Sequence, residues 1–372
     1  MTKLKNHLQE DRRKRQFRVR YRPLTRREFL ELGGVTAVAG VLGCGEGGVE
    51  NEPEGDGEWQ EVAEADHLPH IPPITSNDEH YEVSYLGMAE IDVNSWNCEI
   101  YAGELLLGSF DYEFLLSLEA REKEHTLQCI ESRPTVQRMS NAVWSGLPLS
   151  EIFEAANISI PKGQEHAFIR FMCADGYATG LPTSAIDAYP LWLVWKMNGE
   201  PLPKKHGFPA RVLSPGLYGW KNPKQLMGIH FQGEEYIAPW EPGGEMVPWA
   251  WRYEVQGLIV SPTETDIVQR NDTVYLLGKA YAGEDPVTWV GVSADGGNGF
   301  GDAELTYSPG AHRWTLFRAE WRPESVGEYL VVVACATASG AETNPEEYEH
   351  SIPFNGGMAL LVQVTEQASS SE

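Results

Sequence analysis

An α+β first half followed by an all-β second half is the fold class that this 372-residue chain predicts. Three observations carry it. The length exceeds one compact domain of ~100–200 residues, so two are expected. From Ile74 to about Val255, short strand-like and helix-like stretches alternate irregularly among Gly-Pro turns, unlike the strict alternation of a doubly wound sheet. From Tyr253 to Thr365 helical periodicity is absent, and short strands recur between turn signals, as a β-sandwich requires.

Taken in order, Tyr81–Tyr85 alternates apolar with polar residues and Asn97–Tyr101 does so more loosely, so both are expected as strands. Ser109–Leu118 carries apolar residues at helical spacing behind Ser109 or Asp111, either of which can cap a helix by accepting from a free amide. His125–Ile130 reads as a strand. Leu149–Ala156 reads as a helix beginning near Ser150, with Leu149, Ile152, Phe153 and Ala156 on one side. Ala167–Met172 and Leu191–Met197 are apolar and partly β-branched or aromatic, the composition of buried strands. The second half offers strands at Gln256–Val260, Asp272–Ala280, Val287–Ala294, Trp314–Trp321, Gly327–Ala336 and Met358–Val364. Turn residues separate them at Glu284-Asp285-Pro286, Asp295-Gly296-Gly297 and Ser308-Pro309-Gly310.

The net charge of −25 argues against binding nucleic acid by phosphate neutralisation. Its distribution is uneven. Residues 1–43 hold 11 Lys/Arg against 4 Asp/Glu, whereas the remaining 329 residues hold 18 against 50. The basic stretch Lys3–Arg22 leads through Arg26-Arg27-Glu28-Phe29-Leu30 into an apolar, small-residue run from Leu32 to Gly43, the grammar of an export signal. About a dozen apolar residues are too few to span a bilayer. The paired arginines resemble a twin-arginine signal, which carries folded proteins. Val41-Leu42-Gly43-Cys44 resembles a lipobox, so residues 1–44 are expected to be a lipoprotein signal that anchors the chain to a membrane surface outside the cytoplasm. Residues 45–73, rich in Gly and Glu at their start, read as an acidic flexible tether, and Gln367–Glu372 as a polar tail. Folded export directs attention to a complex cofactor.

Generic catalytic patterns are absent: no Walker loop, no Gly-x-Ser-x-Gly, no His-Glu-x-x-His and no Cys-x-x-Cys. An ordered series of segments remains. It runs Thr126-Leu127-Gln128-Cys129-Ile130-Glu131-Ser132-Arg133, then Val143-Trp144-Ser145-Gly146-Leu147-Pro148-Leu149, Ala174-Asp175-Gly176-Tyr177 and Met197-Asn198-Gly199-Glu200-Pro201-Leu202-Pro203. His206-Gly207-Phe208-Pro209-Ala210-Arg211 and Ser214-Pro215-Gly216-Leu217-Tyr218-Gly219-Trp220-Lys221-Asn222-Pro223-Lys224 complete it. In this order and spacing the series resembles the molybdopterin-binding domain of the sulfite oxidase family of molybdenum oxidoreductases. The second half, with Val292-Ser293-Ala294-Asp295-Gly296-Gly297, resembles that family's immunoglobulin-like dimerisation domain.

The resemblance implies a mixed α/β molybdopterin-binding catalytic domain over 74–252 and an immunoglobulin-like β-sandwich over 253–366, with a homodimer through the latter. It implies that Cys129 is the molybdenum ligand, since a metal held by dithiolene sulfurs favours a further soft thiolate. Cys98, Cys173 and Cys335 keep the reading of core thiols. His206, Arg211, Lys221 and Lys224 match the family's cationic contribution to the pterin phosphate, for which Arg211 has the planar fork. The alternative for them is a solvated basic loop. Asp175 matches a position near the pterin, although an Asp-Gly pair is also a common turn. Asn77 matches a cofactor-contacting loop or is a plain loop residue, and Tyr236 matches an active-site tyrosine or is a packing residue. Arg133 is the arginine kept near the metal.

Two departures limit the substrate. The family's Cys-x-Gly-Asn-Arg-Arg is replaced by Cys129-Ile130-Glu131-Ser132-Arg133-Pro134, and the family's earlier Arg-x-His pair is missing around Asn77. The expected activity is oxygen-atom transfer to or from sulfite or a similar small substrate. The chain has no haem or iron–sulfur motif, so its electrons would pass to or from an external partner such as a cytochrome c. A sulfoxide-type reductase of the same family and a cofactor-free tethered binding lipoprotein are the alternatives.

Overall fold

Ten short strands among the described residues build the first half, and their apolar positions explain how they stack. They are β1 Asn97–Ala102, β2 Leu105–Asp111, β3 Arg121–Gln128, β4 Met139–Pro148, β5 Phe168–Cys173, β6 Ala178–Pro182, β7 Trp192–Met197, β8 Glu200–Pro201, β9 Arg211–Leu213 and β10 Leu226–Gln232. The structure is a computed structural model that describes residues 68–132, 136–188, 191–238, 252–343 and 359–366. The signal, most of the tether, Arg133 and the polar tail lie outside those residues.

One sheet has the order β2-β1-β10-β5-β6, with β1 and β10 parallel. The other has the order β3-β4-β7-β8, with β9 also pairing to β7. Ile100, Ile169, Phe171, Ile229 and Phe231 from the first sheet share one core with Leu147, Leu193, Trp195 and Val212 from the second. The core also holds Leu149, Ile152 and Phe153 of helix α2 (Leu149–Ala155). Burying each such side chain is worth ~1.5–3 kcal/mol, enough to register the two sheets. A second cluster, Leu127, Ala142, Trp144, Val194, Met197, Leu202 and Leu213, has Tyr81 and Phe208 packed against it.

The expected mixture of helix and sheet is weighted heavily to sheet. Only short helices occur among the described residues: α1 (Tyr112–Ser117), α2 and α3 (Ala185–Ala188), besides 3-10 turns. Helix α1 starts where Asp111 predicts, because its carboxylate accepts from the Phe114 amide at 2.8 Å. The residues before it form β2 rather than a helical turn. Tyr81–Tyr85 is not a strand. Side chains take its amides instead: Tyr81 N–H donates to Ser140 Oγ at 3.1 Å and Tyr85 N–H to Asp175 Oδ2 at 3.4 Å.

The second half follows its expected strands closely. It comprises β11 Gln256–Ser261, β12 Ile267–Gln269, β13 Val274–Tyr281, β14 Val287–Ser293, β15 Gly301–Asp302, β16 Glu304–Tyr307, β17 Thr315–Trp321, β18 Gly327–Thr337 and β19 Ala359–Thr365. Sheets β11-β13-β17-β16 and β12-β19-β18-β14-β15 share a core of Ile259, Leu276, Phe317, Val290, Val331, Val333 and Val362. A further cluster joins the two halves: Ile130, Met139 and Tyr218 meet Tyr253, Leu258, Tyr281, Trp314 and Leu316.

Candidate active site

Cys129 follows directly on the last residue of β3. Its amide donates to the Arg138 carbonyl at 2.9 Å, and its carbonyl accepts from Ser132 N–H at 2.9 Å, closing a turn. The thiol is unbridged and partly buried. Burial raises its pKa, while a backbone hydrogen bond at Glu131 and the Arg138 guanidinium pull it down. Arg138 is itself ion-paired with Glu131. A 3-10 turn, Gly219–Lys221, comes close to this place. A side chain at Gly219 would put its Cβ 3.0 Å from the Tyr81 hydroxyl oxygen, a tight contact, and 3.9 Å from Cys129 Cα, an ordinary one, so Gly219 lies against both residues.

The basic cluster is assembled from β9 and the two 3-10 turns around it. Arg211 is 4% exposed. Its Nη1 donates to the His206 carbonyl and its Nη2 to the Asn222 carbonyl, both at 3.0 Å. Its guanidinium lies 5.1 Å from the centre of the Trp144 ring. His206 donates from Nε2 to the Asn77 carbonyl at 2.7 Å, while Asn77 Oδ1 accepts from Asn198 Nδ2 at 2.9 Å. Lys224 Nζ donates to Ser84 Oγ at 3.0 Å and to the Lys205 carbonyl at 2.8 Å. Lys221 is fully buried and donates to the Gly180 carbonyl at 2.8 Å. Gly207, at φ +117°, is where Arg211 and Lys224 converge; a Cβ there would stand 3.0 Å from Arg211 Cβ and 3.2 Å from Lys224 Cβ.

The electrostatics of this cluster are those of a site for an anion. Burial lowers the Lys224 ammonium to about 8, and Arg211 beside it acts in the same direction. Burial lowers Arg211 to about 10 and His206 to about 4. Among the described residues no carboxylate lies within ion-pair distance of Arg211 or Lys224. Arg211 Nε and His80 Nε2 are among the buried polar atoms of the described residues that have no hydrogen-bond partner. Buried groups of this kind are costly unless something pairs with them.

Residues 85–240 match the family model described as "Oxidoreductase molybdopterin binding domain". The Bacillus subtilis protein named "Uncharacterized oxidoreductase YuiH" is 29% identical over 197 residues, covering 50% of this chain and 92% of that protein. Mouse mitochondrial sulfite oxidase is 25% identical over 271 residues, covering 62% of this chain and 49% of the relative. The chain thus spans about half the length of that mammalian protein. The sulfane dehydrogenase SoxCD of Paracoccus pantotrophus superposes with a TM-score of 0.67 at 19% identity, over 80% of this chain and 85% of that one, a likeness of fold. Residues 85–240 are thus an oxidoreductase molybdopterin-binding domain, and the chain is similar to the sulfite oxidases.

The side chains present fit a molybdopterin. Its phosphate calls for clustered cations, its ring for backbone and side-chain partners, and its metal for a soft ligand. Arg211 and Lys224 supply the first, with His206 as an uncharged neighbour, and the unbridged Cys129 lies at the Tyr81–Gly219 junction, where Tyr81 feels the charge of both Cys129 and Arg211. Asp175 accepts from Tyr177 N–H at 3.0 Å and from Tyr85 N–H, so it organises the turn at Gly176 and ties it to the Tyr81–Tyr85 segment. Tyr236 is placed differently from the other sequence candidates. Its ring faces the Arg170 guanidinium, 3.9 Å from carbon to ring centre, and its backbone lies against Gly180, whose carbonyl holds Lys221. Arg133 lies outside the described residues.

Sequence reasoning passed over His80, Tyr81 and Trp144 as site residues. His80 is 3% exposed and stands 5.0 Å from His206 and 5.6 Å from Trp144, ring centre to ring centre. It donates from Nδ1 to the Tyr81 carbonyl at 3.1 Å. The signal was present: His80-Tyr81 follows Asn77 by three residues, but apolar–polar alternation assigned part of that segment to a strand.

Proposed function

We propose that the chain moves an oxygen atom between water and a small, weakly charged substrate, and that two electrons pass between the site and an external partner such as a cytochrome c. The observation that carries this reading is the meeting of the unbridged Cys129, Tyr81 and Gly219, with Tyr81 also close to the buried Arg211, which like Lys224 has no carboxylate partner among the described residues. Molybdopterin, when bound, supplies the two-electron oxygen-transfer chemistry. Arg211 and Lys224 would hold its anionic end, His206 is fixed beside them on the Asn77 carbonyl, Lys221 is fixed on the Gly180 carbonyl, and Cys129 would supply a thiolate. Arg138 beside the sulfur favours the thiolate, against the burial that raises the thiol's pKa. Tyr81 sets a hydroxyl next to it, and burial raises the pKa of that hydroxyl, so it stays protonated as a hydrogen-bond donor.

The Arg138–Glu131 ion pair favours the sulfoxide-type reading over sulfite. A cation already engaged by a carboxylate offers less to an anionic substrate. Losing one charged hydrogen bond costs ~1.5–3 kcal/mol, about one to two powers of ten in affinity. The purified holoenzyme is expected to show a high KM for sulfite that rises with ionic strength, and a lower KM for neutral sulfoxides. Steady-state kinetics on both substrate classes decide it: a low, salt-insensitive KM for sulfite overturns the weakly charged substrate.

The C-terminal sheets, as residues 253–366, are proposed to be an immunoglobulin-like unit through which two copies pair, with residues 74–252 as the catalytic unit. Residues 1–44 are proposed to direct folded export and lipidation at Cys44. The double replacement of Arg26 and Arg27 by lysine should then leave metal-loaded protein in the cytoplasm. Normal yield outside the cytoplasm would sink that proposal.

A further inference from the structure

The strands on either side of Cys129 are hydrogen-bonded to the C-terminal half as well as to each other. On β3, Thr126 N–H donates to the His312 carbonyl at 2.9 Å. The Thr126 carbonyl accepts from the Tyr281 hydroxyl at 3.2 Å, and Thr126 Oγ1 accepts from Trp314 N–H at 2.9 Å. Gln128, the residue before Cys129, donates its N–H to the Tyr253 hydroxyl at 3.0 Å and its side-chain amide to Gln256. At the start of β4, the Lys279 ammonium donates to the Met139 carbonyl at 3.1 Å, and the Gln137 side-chain amide donates to the Val260 carbonyl at 3.4 Å. Gln128 and Met139 are partners in the β3–β4 register, and the Cys129 amide bonds the Arg138 carbonyl next to them. Tyr253 and Lys279 therefore grip the pair of residues from which Cys129 departs.

Neither grip is cheap or loose. Lys279 is 9% exposed, burial lowers it to about 8, and its ammonium lies 4.8 Å from the centre of the Trp314 ring. Apolar packing would usually join two surfaces at least as stably as a buried cation. Such a group is better explained by the carbonyl it fixes. The Tyr253 ring is wedged between Tyr218 at 4.7 Å and Tyr281 at 4.8 Å, which holds its hydroxyl on Gln128.

We propose that the C-terminal sheets position the metal's thiolate in cis: Tyr253 and Lys279 fix the backbone at Gln128 and Met139 and through it the direction of the Cys129 sulfur. Tyr253 and Lys279 are positioning residues. The inference rests on the reading of Cys129 as the metal ligand. A scaffold outside the catalytic sheets can hold a ligand more rigidly than the turn alone, and partners of this kind typically change metal affinity or activity by ~10–100-fold.

The test uses full-length holoenzyme with Tyr253→Phe, which removes one hydroxyl, and Lys279→Met, which removes the charge at similar volume. Tyr329→Phe is the control, since that hydroxyl donates to the Ser325 carbonyl within the C-terminal half and far in sequence from Cys129. Molybdenum and pterin content, kcat, KM and the paramagnetic resonance signal of the half-reduced metal are read on each. Tyr253→Phe should keep its metal and its KM, lose about 10-fold in kcat, and shift that signal. Lys279→Met should shift it in the same way, and if it fails to fold Tyr253→Phe decides alone. Tyr329→Phe should match wild type. A fall in melting temperature or metal content with an unshifted signal and unchanged kcat in Tyr253→Phe overturns the proposal. An unshifted signal in Cys129→Ala would instead strike the thiolate reading itself, which keeps the two failures apart.

Discussion

Cys129→Ala is expected to fold, retain much of its pterin, and lose oxygen-transfer turnover by more than ~100-fold, beyond the effect usual for residues that merely support a ligand. The fold should survive because the turn is held by main-chain atoms. The Cys129 amide and carbonyl bond to Arg138 and Ser132, and neither bond needs the sulfur. The pocket should survive because Arg211, Lys224 and His206 donate their hydrogen bonds to oxygens of Asn77, Ser84, Lys205, His206 and Asn222, and none of these bonds involves the thiol. What disappears is the soft ligand, and with it the charge that faces Arg138. That guanidinium keeps its partner in Glu131, so no unpaired cation is left behind. Turnover with pterin content measured on the same sample is the check. Wild-type turnover would make Cys129 a packing residue, and loss of folded protein in the far-ultraviolet spectrum would make it a structural one.

The second half of the chain was legible because its strands bury one face and expose the other between turn residues, so local pattern and tertiary role agree. In β19 the burial of Leu360, Val362 and Val364 alternates with more exposed neighbours. The first half was read less well where polar residues are buried. In β4, Ser140, Asn141 and Ser145 are all buried, so no apolar alternation marks the strand. Asn141 is satisfied at a distance, donating to the Pro73 carbonyl at 3.0 Å and accepting from Thr126 Oγ1 at 2.8 Å, and nothing local announces such bonds. The hairpin strand β2 was missed for the opposite reason: Leu105 and Leu106 are exposed, so apolar residues mark no core there. At the site, the motif order picked out His206, Arg211, Lys221 and Lys224; the fold brings Arg211 and Lys224 together at Gly207 and sets His206 on Asn77, while Lys221 reaches the Gly180 carbonyl. His80 and Tyr81 entered the site only through the fold, because their contacts to His206 and Gly219 join segments more than a hundred residues apart.

Arg211 should govern cofactor retention, and a graded pair of replacements separates its charge from its shape. Arg211→Lys keeps a cation but loses the planar fork that reaches the His206 and Asn222 carbonyls together. Arg211→Met loses both, and leaves two carbonyls and the Trp144 face without their guanidinium. A charge-assisted phosphate contact is worth ~1.5–3 kcal/mol, so affinity for the pterin should fall by about one to two powers of ten in the methionine variant. The lysine variant should fall between it and wild type. Lys224→Met offers the cleaner comparison for stability, since its two partners, Ser84 and the Lys205 carbonyl, lie on segments that are not strands. It should lose pterin with a smaller drop in melting temperature. Burial and Arg211 hold Lys224 to about 8, so removing its charge relieves a repulsion that offsets part of that drop. Pterin released from each purified variant, measured by fluorescence beside the melting temperature of its cofactor-free form, is the decisive pair of observations. Full pterin content in Arg211→Met at an unchanged melting temperature would show that this buried guanidinium belongs to the fold alone.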